Sequence, residues 1–367
     1  MQQLVIRGRG SLNAANIADL MAKTGMCRPL LVCSRRMEKD FAARTGMTLP
    51  LFDGYHPNPD LADAAAGVEM YREMRCDGLI SVGGGSAMDT AKAVKALLLA
   101  GDMEDVRISR LPEETLPHIA VPGTAGTGAE ATPIAVVYEN NEKLSLDHPS
   151  LLPEAIVLDG SLLDTLPVYH KKACAMDALC QGIESFWAVN ATAESRPHAE
   201  KAIFGVLRNM KSYLAGDADA ADAVLEAAYE SGCAIRLSRT TAAHAMSYQI
   251  TKRIGPAHGH ACMLTLPHLW RRMDSLEAIR ELNALMGTED GAELLMGLLA
   301  ATDMLPDTQP DDDLLDALVA SVNVQRLGNH PQRLTEAELR AVYTDAFAPI
   351  AEEERARLAS LWRAYAG

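Results

Sequence analysis

The chain has 367 residues, 48% hydrophobic and 23% charged, with a formal net charge of −15 at pH 7. That length accommodates two domains with separate cores, and the composition is that of a globular protein. The acidity excludes non-specific binding to nucleic acid or to an anionic membrane, and no apolar run reaches membrane-spanning length.

The N-terminus MQQLVIRGRG lacks the apolar stretch of a signal peptide. Seven cysteines, at 27, 33, 76, 174, 180, 233 and 262, show no paired spacing and read as reduced core thiols of a cytoplasmic protein. Short apolar runs at 29–33, 79–82 and 119–122 read as buried strands, separated by helical stretches such as 60–74 and 87–99. Pro57-Asn58-Pro59 punctuates a loop between two such units. The alternation implies a parallel sheet covered by helices, with ligand sites at the carboxyl ends of its strands. Strands at 135–138 and 155–159 are expected to complete the sheet, with a polar turn over 139–143 opening the connection between them.

Two glycine-rich segments leave strands in this half. The run 79–82 passes straight into GGGSAMDTAK, residues 83–92. Strand, glycine turn and helix start together let backbone N–H groups approach phosphate oxygens at the positive end of a helix. This is a pyrophosphate cradle by chemistry, although it lacks the G-x-G-x-x-G spacing, and a tight strand–helix connection is the alternative. PGTAGTGAEAT, residues 122–132, offers the hydroxyls of Thr124 and Thr127 to the ribose or nicotinamide end of the same cofactor.

Beyond Leu166-Pro167 the texture becomes Ala-, Leu- and Glu-rich helical periodicity, interrupted by loops at 303–313 and 328–331. The expected domains are therefore 1–167 and 168–367. In MDALCQGIESFW, Asp177 and Gln181 are four residues apart on one helical face, and Glu184 follows at the next turn. In TTAAHAMSYQITKRIGPAHGHACMLTL, residues 240–266, His244 lies in a small-residue helix that Gly255-Pro256 breaks, returning the chain toward His258 and His260. A carboxylate, an amide oxygen and two imidazoles make a mixed shell suited to Fe(II), Zn(II) or a similar divalent ion. Satisfied core histidines and a hydrogen-bonded helix carboxylate are the alternative.

In order and spacing, GGGSAMDTAK, PGTAGTGAEAT, KLSLDHPSLLPEAIVLDGSLLDTLP, MDALCQGIESFW and HAMSYQITKRIGPAHGHACMLTLPH resemble the signature blocks of the iron-containing (group III) alcohol dehydrogenases, over roughly residues 80 to 268. The resemblance implies an α/β N-terminal Rossmann-like domain, an all-α C-terminal metal-binding domain, and an active site in the cleft between them. It implies metal ligands at Asp177, Gln181, His244 and His258, where most members carry histidine at the second position. It implies cofactor contacts from Ser34, Gly84, Gly85, Ser86, Asp89, Thr124, Thr127 and Lys143. NAD(H) is the expected cofactor and NADP(H) the alternative, because Ser34 stands where NAD-selective members have aspartate and Arg35 and Arg36 follow. Fe(II) is the first metal expected, with Zn(II) or Mn(II) next. Tyr248 replaces a histidine that many members carry, so a phenol, or water, would serve any proton relay there, with His260 as the second catalytic candidate.

Within that family the blocks look most like reductases of phosphonoacetaldehyde and sulfoacetaldehyde. The implied reaction is NAD(P)H-linked reduction of a short aldehyde with an anionic head group, which requires an anion site near the metal. Arg253, His148 and Ser247 are the candidate substrate contacts. Competing expectations are a general short-chain alcohol dehydrogenase, a glycerol-dehydrogenase-like or dehydroquinate-synthase-like enzyme on the same architecture, and a metal-free nucleotide-binding protein. A homodimer is expected.

Overall fold

The structure is a computed structural model that describes residues 3–100, 103–140, 142–322 and 327–367. By its contacts the chain divides into two compact units, Met1–Leu166 with Ala221–Gly232, and Pro167–Ala220 with Cys233–Gly367.

The first unit is built on a parallel sheet of β1 (Leu4–Arg7), β2 (Pro29–Val32), β3 (Leu51–Phe52), β4 (Gly78–Gly83), β5 (His118–Pro122) and β8 (Ala155–Leu158), in the order β1-β8-β5-β4-β2-β3. Successive side chains alternate between faces. Leu30, Val32 and Leu79 pack into the core that holds Val68 and Val94, of α3 (Leu61–Glu73) and α4 (Gly85–Leu99). Leu31, Cys33, Ile80 and Val82 pack on the other side with Ile17 and Phe41, of α1 (Ala14–Thr24) and α2 (Arg35–Thr45). With both faces covered, the strands must be apolar throughout, which is why they read as continuous runs.

One strand expectation changes. Residues 135–138 lie in β6 (Ile134–Glu139), which pairs antiparallel with β7 (Glu142–Asp147) in a separate two-stranded ribbon rather than in the parallel sheet. Their burial alternates, as befits a ribbon with one face on the core. Residue 141, inside the expected turn, lies outside the described residues. The short strands β1 and β3 had no expectation in the sequence.

The second unit is helical: α6 (Val168–Trp187), α7 (Ser195–Leu214), parts of α8 (Ala218–Ser238), α9 (Ala242–Arg253), α10 (His258–Arg272), α11 (Glu277–Met286), α12 (Gly291–Ala301), α13 (Asp312–Ala320), and further helices over Glu336–Ala346 and Glu352–Tyr365. Gly255 and Pro256 do separate α9 from α10, with Gly255 at a φ of 104° that favours glycine. Among the described residues, no helix is long and apolar enough to cross a membrane.

The break after Leu166 falls one residue before the expected boundary, and the middle of α8 departs from a simple two-part division. Backbone proximity explains why Ala221–Gly232 groups with the sheet. A Cβ on Gly232 would sit 2.3 Å from the Gly128 carbonyl oxygen, and Gly128 itself has a φ of 57°. Gly232→Ala should therefore lower stability by about 1–3 kcal/mol in urea unfolding, although alanine ordinarily gains about 1 kcal/mol over glycine inside a helix. An unchanged or raised unfolding midpoint would contradict this packing.

Candidate metal centre and nucleotide site

α6, α9 and α10 pack on one another through α10, and each brings ligand-type side chains to one place. Asp177 comes from α6, His244 from α9, and His258 and Cys262 from α10; their donor atoms all lie within 4.8 Å of one another. Asp177 Oδ1 is 3.3 Å from His244 Nε2 and 3.9 Å from His258 Nε2. Cys262 Sγ is 3.9 Å from that same His258 nitrogen. Asp177, His244 and Cys262 are buried, whereas the His258 side chain is 36% exposed, which leaves the cluster one accessible side.

Each imidazole is oriented through its other nitrogen. His244 Nδ1 donates to Glu184 Oε2, and Glu184 Oε1 accepts from the Thr241 N–H at 3.1 Å, the Thr241 hydroxyl at 2.6 Å and the Ala243 N–H at 2.9 Å. The Trp187 indole N–H in turn donates to the Thr241 hydroxyl. His258 Nδ1 lies 3.2 Å from the Ser247 hydroxyl, which donates to the His244 carbonyl. The Tyr248 ring stacks on His258, with centroids 5.6 Å apart and planes 15° apart. Both Nε2 atoms are thereby turned toward Asp177. This is how proteins fix the tautomer of a metal-binding histidine.

The donor set fits a divalent cation. Asp177 Oδ1 and His244 Nε2 are buried and face each other at 3.3 Å, an ion-pair separation without a formed hydrogen bond, so both atoms are available to a bridging cation. Burial pushes the Asp177 carboxyl up, but His258 and His244 outweigh it and hold it below the ordinary carboxylate range. Glu184 behaves alike: burial raises it, and His244 and Thr241 bring it down. For His244 and His258 burial lowers the pKa, and neighbouring acidic groups, Cys262 first, raise it beyond the usual value. Two ionised carboxylates and three further donors in one pocket make a cation-attracting field.

Close approach of α10 to α6 depends on Gly259, between the two histidines. A Cβ there would meet the Ala173 carbonyl at 2.1 Å and Asp177 Cβ at 2.5 Å. Gln181, one turn beyond Asp177 on α6, is buried.

Other expected residues lie elsewhere. His260 donates through Nε2 to the Met304 carbonyl at 2.7 Å, and its Nδ1 is 3.3 Å from the Tyr169 hydroxyl, so both ring nitrogens are engaged by the protein. Arg253 is exposed at the end of α9, with Nε on Gln249. His148 belongs to the first unit, where its Nδ1 accepts from Ser150. Cys262 was missed because buried cysteines are usually inert core residues; its place four residues after His258 was the available signal.

In the first unit the two glycine-rich exits meet. Gly123 N–H donates to the Gly83 carbonyl at 2.7 Å, a Cβ on Gly84 would be 3.3 Å from Thr124, and one on Gly85 would be 3.1 Å from Thr127. Gly84 caps α4, and Ser86, in its first turn, accepts from the Asn58 N–H. Ser34 caps α2 at the end of β2. The chain lays β3 on one side of β2 and β4 on the other, so the strand order reverses where Ser34 and Gly84 lie; in open α/β sheets that is the ligand crevice. Burial pushes the Asp89 carboxyl up to about 6 against the pull of Lys92, the Val136 N–H and Lys143. Arg35 is paired with Asp53 at 2.6 Å, and Arg36 donates to Thr165.

The family model described as iron-containing alcohol dehydrogenase matches residues 3–160, and that described as the Fe-containing alcohol dehydrogenase family, C-terminal, matches residues 172–348. The chain belongs to the iron-containing alcohol dehydrogenase family. Phosphonoacetaldehyde reductase of Streptomyces viridochromogenes is 39% identical over 230 residues, 59% of this chain and 58% of that protein, so the match spans less than two thirds of the relative. Lactaldehyde reductase of Escherichia coli K12 is 27% identical over 298 residues, 77% of this chain and 78% of that enzyme. Sulfoacetaldehyde reductase from Bifidobacterium kashiwanohense, solved in complex with NAD+, is similar in structure with a TM-score of 0.85 and 26% identity, covering 95% of this chain and 98% of that one. The fold expected from the resemblance is the fold observed: an α/β unit with a parallel sheet and a helical unit as in this family.

Two outcomes are expected from this geometry. Glu184→Gln should keep the fold but weaken metal binding about 10–100-fold in chelator competition, because the amide presents a donor where donors converge. Gly259→Ala should cost more, since α10 must shift from Asp177; retention of full metal affinity by this variant would rule out the α6–α10 approach as the basis of the cluster.

Proposed function

We propose that the chain is a metal-dependent reductase of short aldehydes that carry an anionic head group, with NAD(H) as hydride carrier. The observation that carries the metal part is the buried Asp177 Oδ1 and His244 Nε2, 3.3 Å apart with no hydrogen bond formed by either atom, and His258 turned to the same point. Asp177, His244 and His258, with Gln181 beside them, would hold the ion. A divalent ion there supplies Lewis-acid polarisation of a carbonyl oxygen, and a nicotinamide supplies the hydride.

The chain's own residues do the rest. Glu184 and Ser247 fix the two imidazoles, which lowers the reorganisation needed when charge develops on the substrate oxygen. Tyr248, stacked on the partly exposed His258, is assigned the proton that converts the reduced oxygen to a hydroxyl, delivered from Tyr248 Oη. In the first unit, Gly84, Gly85 and Ser86 at the start of α4 would hold the pyrophosphate of a dinucleotide, with Thr124 and Thr127 as further contacts. Asp89 and Lys143, close enough to interact electrostatically, are assigned to the same cofactor. The pairing of Arg35 with Asp53 offsets the cationic charge next to Ser34 and supports NAD(H) over NADP(H).

Support for an anionic aldehyde comes from the phosphonoacetaldehyde and sulfoacetaldehyde reductases among the similar proteins. Ser247 is confined to positioning His258, and Arg253, nine residues beyond His244, stands about 13 Å further along α9 and on its opposite face, so it is not assigned to the head group. The overall change is aldehyde plus NADH plus a proton to alcohol plus NAD+: sulfoacetaldehyde gives isethionate, or phosphonoacetaldehyde gives 2-hydroxyethylphosphonate.

A spectrophotometric screen of NADH and NADPH against both anionic aldehydes, lactaldehyde and propanal tests this. NADH with an anionic aldehyde should give the highest kcat/KM of the combinations screened. Equal turnover of anionic and neutral aldehydes would sink the substrate reading.

A further inference from the structure

We propose that Cys262 is a metal ligand, its thiolate supplying the fourth strong donor that a histidine at position 181 would otherwise provide. The inference rests on the metal reading above and concerns which side chains of this chain make the shell. Cys262 is fully buried one helical turn after His258, and its sulfur belongs to the group whose donor atoms lie within 4.8 Å of one another. The same pocket holds Asp177 Oδ1 and His244 Nε2, both buried and lacking hydrogen-bond partners. A thiol kept only for packing lies among apolar atoms, whereas this one lies 3.9 Å from the His258 nitrogen that also faces Asp177.

The size of the cluster agrees. With Zn–N near 2.1 Å and Zn–S near 2.3 Å, the edges of a tetrahedral shell run to about 3.3–3.7 Å, and the separations of 3.3, 3.9 and 3.9 Å approach that range without movement of a helix. One sulfur, two imidazoles and one carboxylate are a softer set than three imidazoles and a carboxylate, and they shift preference from Fe(II) toward Zn(II). The reaction of formation is simple: the S–H proton leaves to solvent as the sulfur–metal bond forms, and the two anionic donors balance the charge of the dication.

Cobalt substitution of the whole protein provides a readout separate from turnover. The Co(II) form should bind one ion per chain and show the intense near-ultraviolet band of thiolate-to-cobalt charge transfer. Cys262→Ser should abolish the band and weaken Zn(II) binding by about a hundredfold or more, while Cys180→Ser leaves the band in place. One bound cobalt without the band in the unmodified protein overturns the assignment of Cys262 and leaves the metal reading standing. Failure to bind Co(II), Zn(II) or Fe(II) at all overturns both. If Cys262→Ser does not fold, the spectrum of the unmodified protein decides the question alone.

Discussion

His244 is held between two carboxylates of a single helix, and the second unit is arranged around that grip. Asp177 and Glu184 lie two turns apart on α6, so they share a face, and His244 spans them with one ring nitrogen toward each. Burying two carboxylates costs several kcal/mol each unless donors meet them. Glu184 finds its donors in the turn that starts α9, at Thr241 and Ala243, so the cost of that charge is recovered by fixing where α9 begins. Asp177 finds no such donors, and its free oxygen points at His244 and His258. One carboxylate is therefore spent on structure and the other left for chemistry. Rotation of α6 would disturb both together, which couples the shape of the cluster to the packing of the helix.

The first unit solves a different problem. A parallel sheet apolar on both faces has little place for polar ligands except where its strands end. At those ends the backbone must itself become the ligand, because side chains would fill the space. Gly83, Gly84, Gly85 and Gly123 keep the exits of β4 and β5 in contact, with carbonyl, amide and threonine hydroxyl groups at the surface they form. Behind them Lys92 is fully buried and donates to the Ala129 and Ile134 carbonyls, tying the second glycine loop to α4. Burial pushes its ammonium down to about 8 against the pull of Asp89 and Glu130. The charge is thus used as a bracket for loop backbone rather than left facing solvent.

How much of this could be read beforehand depended on whether local pattern or tertiary approach decides each feature. Continuous apolar runs marked β2, β4, β5 and β8, because a strand covered on both sides has no polar phase to confuse it. The residues 135–138 look the same over four positions, and only pairing with Glu142–Asp147 reveals a hairpin; the alternation of Leu144 and Leu146 with polar neighbours was the clue. Asp177 and the break at Gly255-Pro256 followed from helical spacing and backbone chemistry. Convergence of α6, α9 and α10 did not, since no periodicity states which helices touch; there the family resemblance supplied what local reasoning lacked. His260 illustrates the converse: it stands beside His258 in sequence, but a helix sends neighbours about 100° apart per residue, and its ring goes to Met304 and Tyr169.

Gln181 in place of the usual histidine raises the question of whether the chain has ceased to bind metal. The energetics of the pocket answer against that. An abandoned site is most stable when its polar groups are replaced or paired, because each buried group left unpaired costs about 1–3 kcal/mol, a sizeable share of a net folding free energy of about 5–15 kcal/mol. Here Asp177, His244 and His258 keep ligand-type geometry. Their remaining ring nitrogens are oriented by Glu184 and Ser247, and two facing atoms have no hydrogen bond. The weaker amide donor on α6 is accompanied by a sulfur on α10 in the same cluster. Loss of function would remove constraints one at a time; the pocket instead keeps its carboxylate and both imidazoles in place with a sulfur within reach, which is the pattern of a site still arranged for a cation.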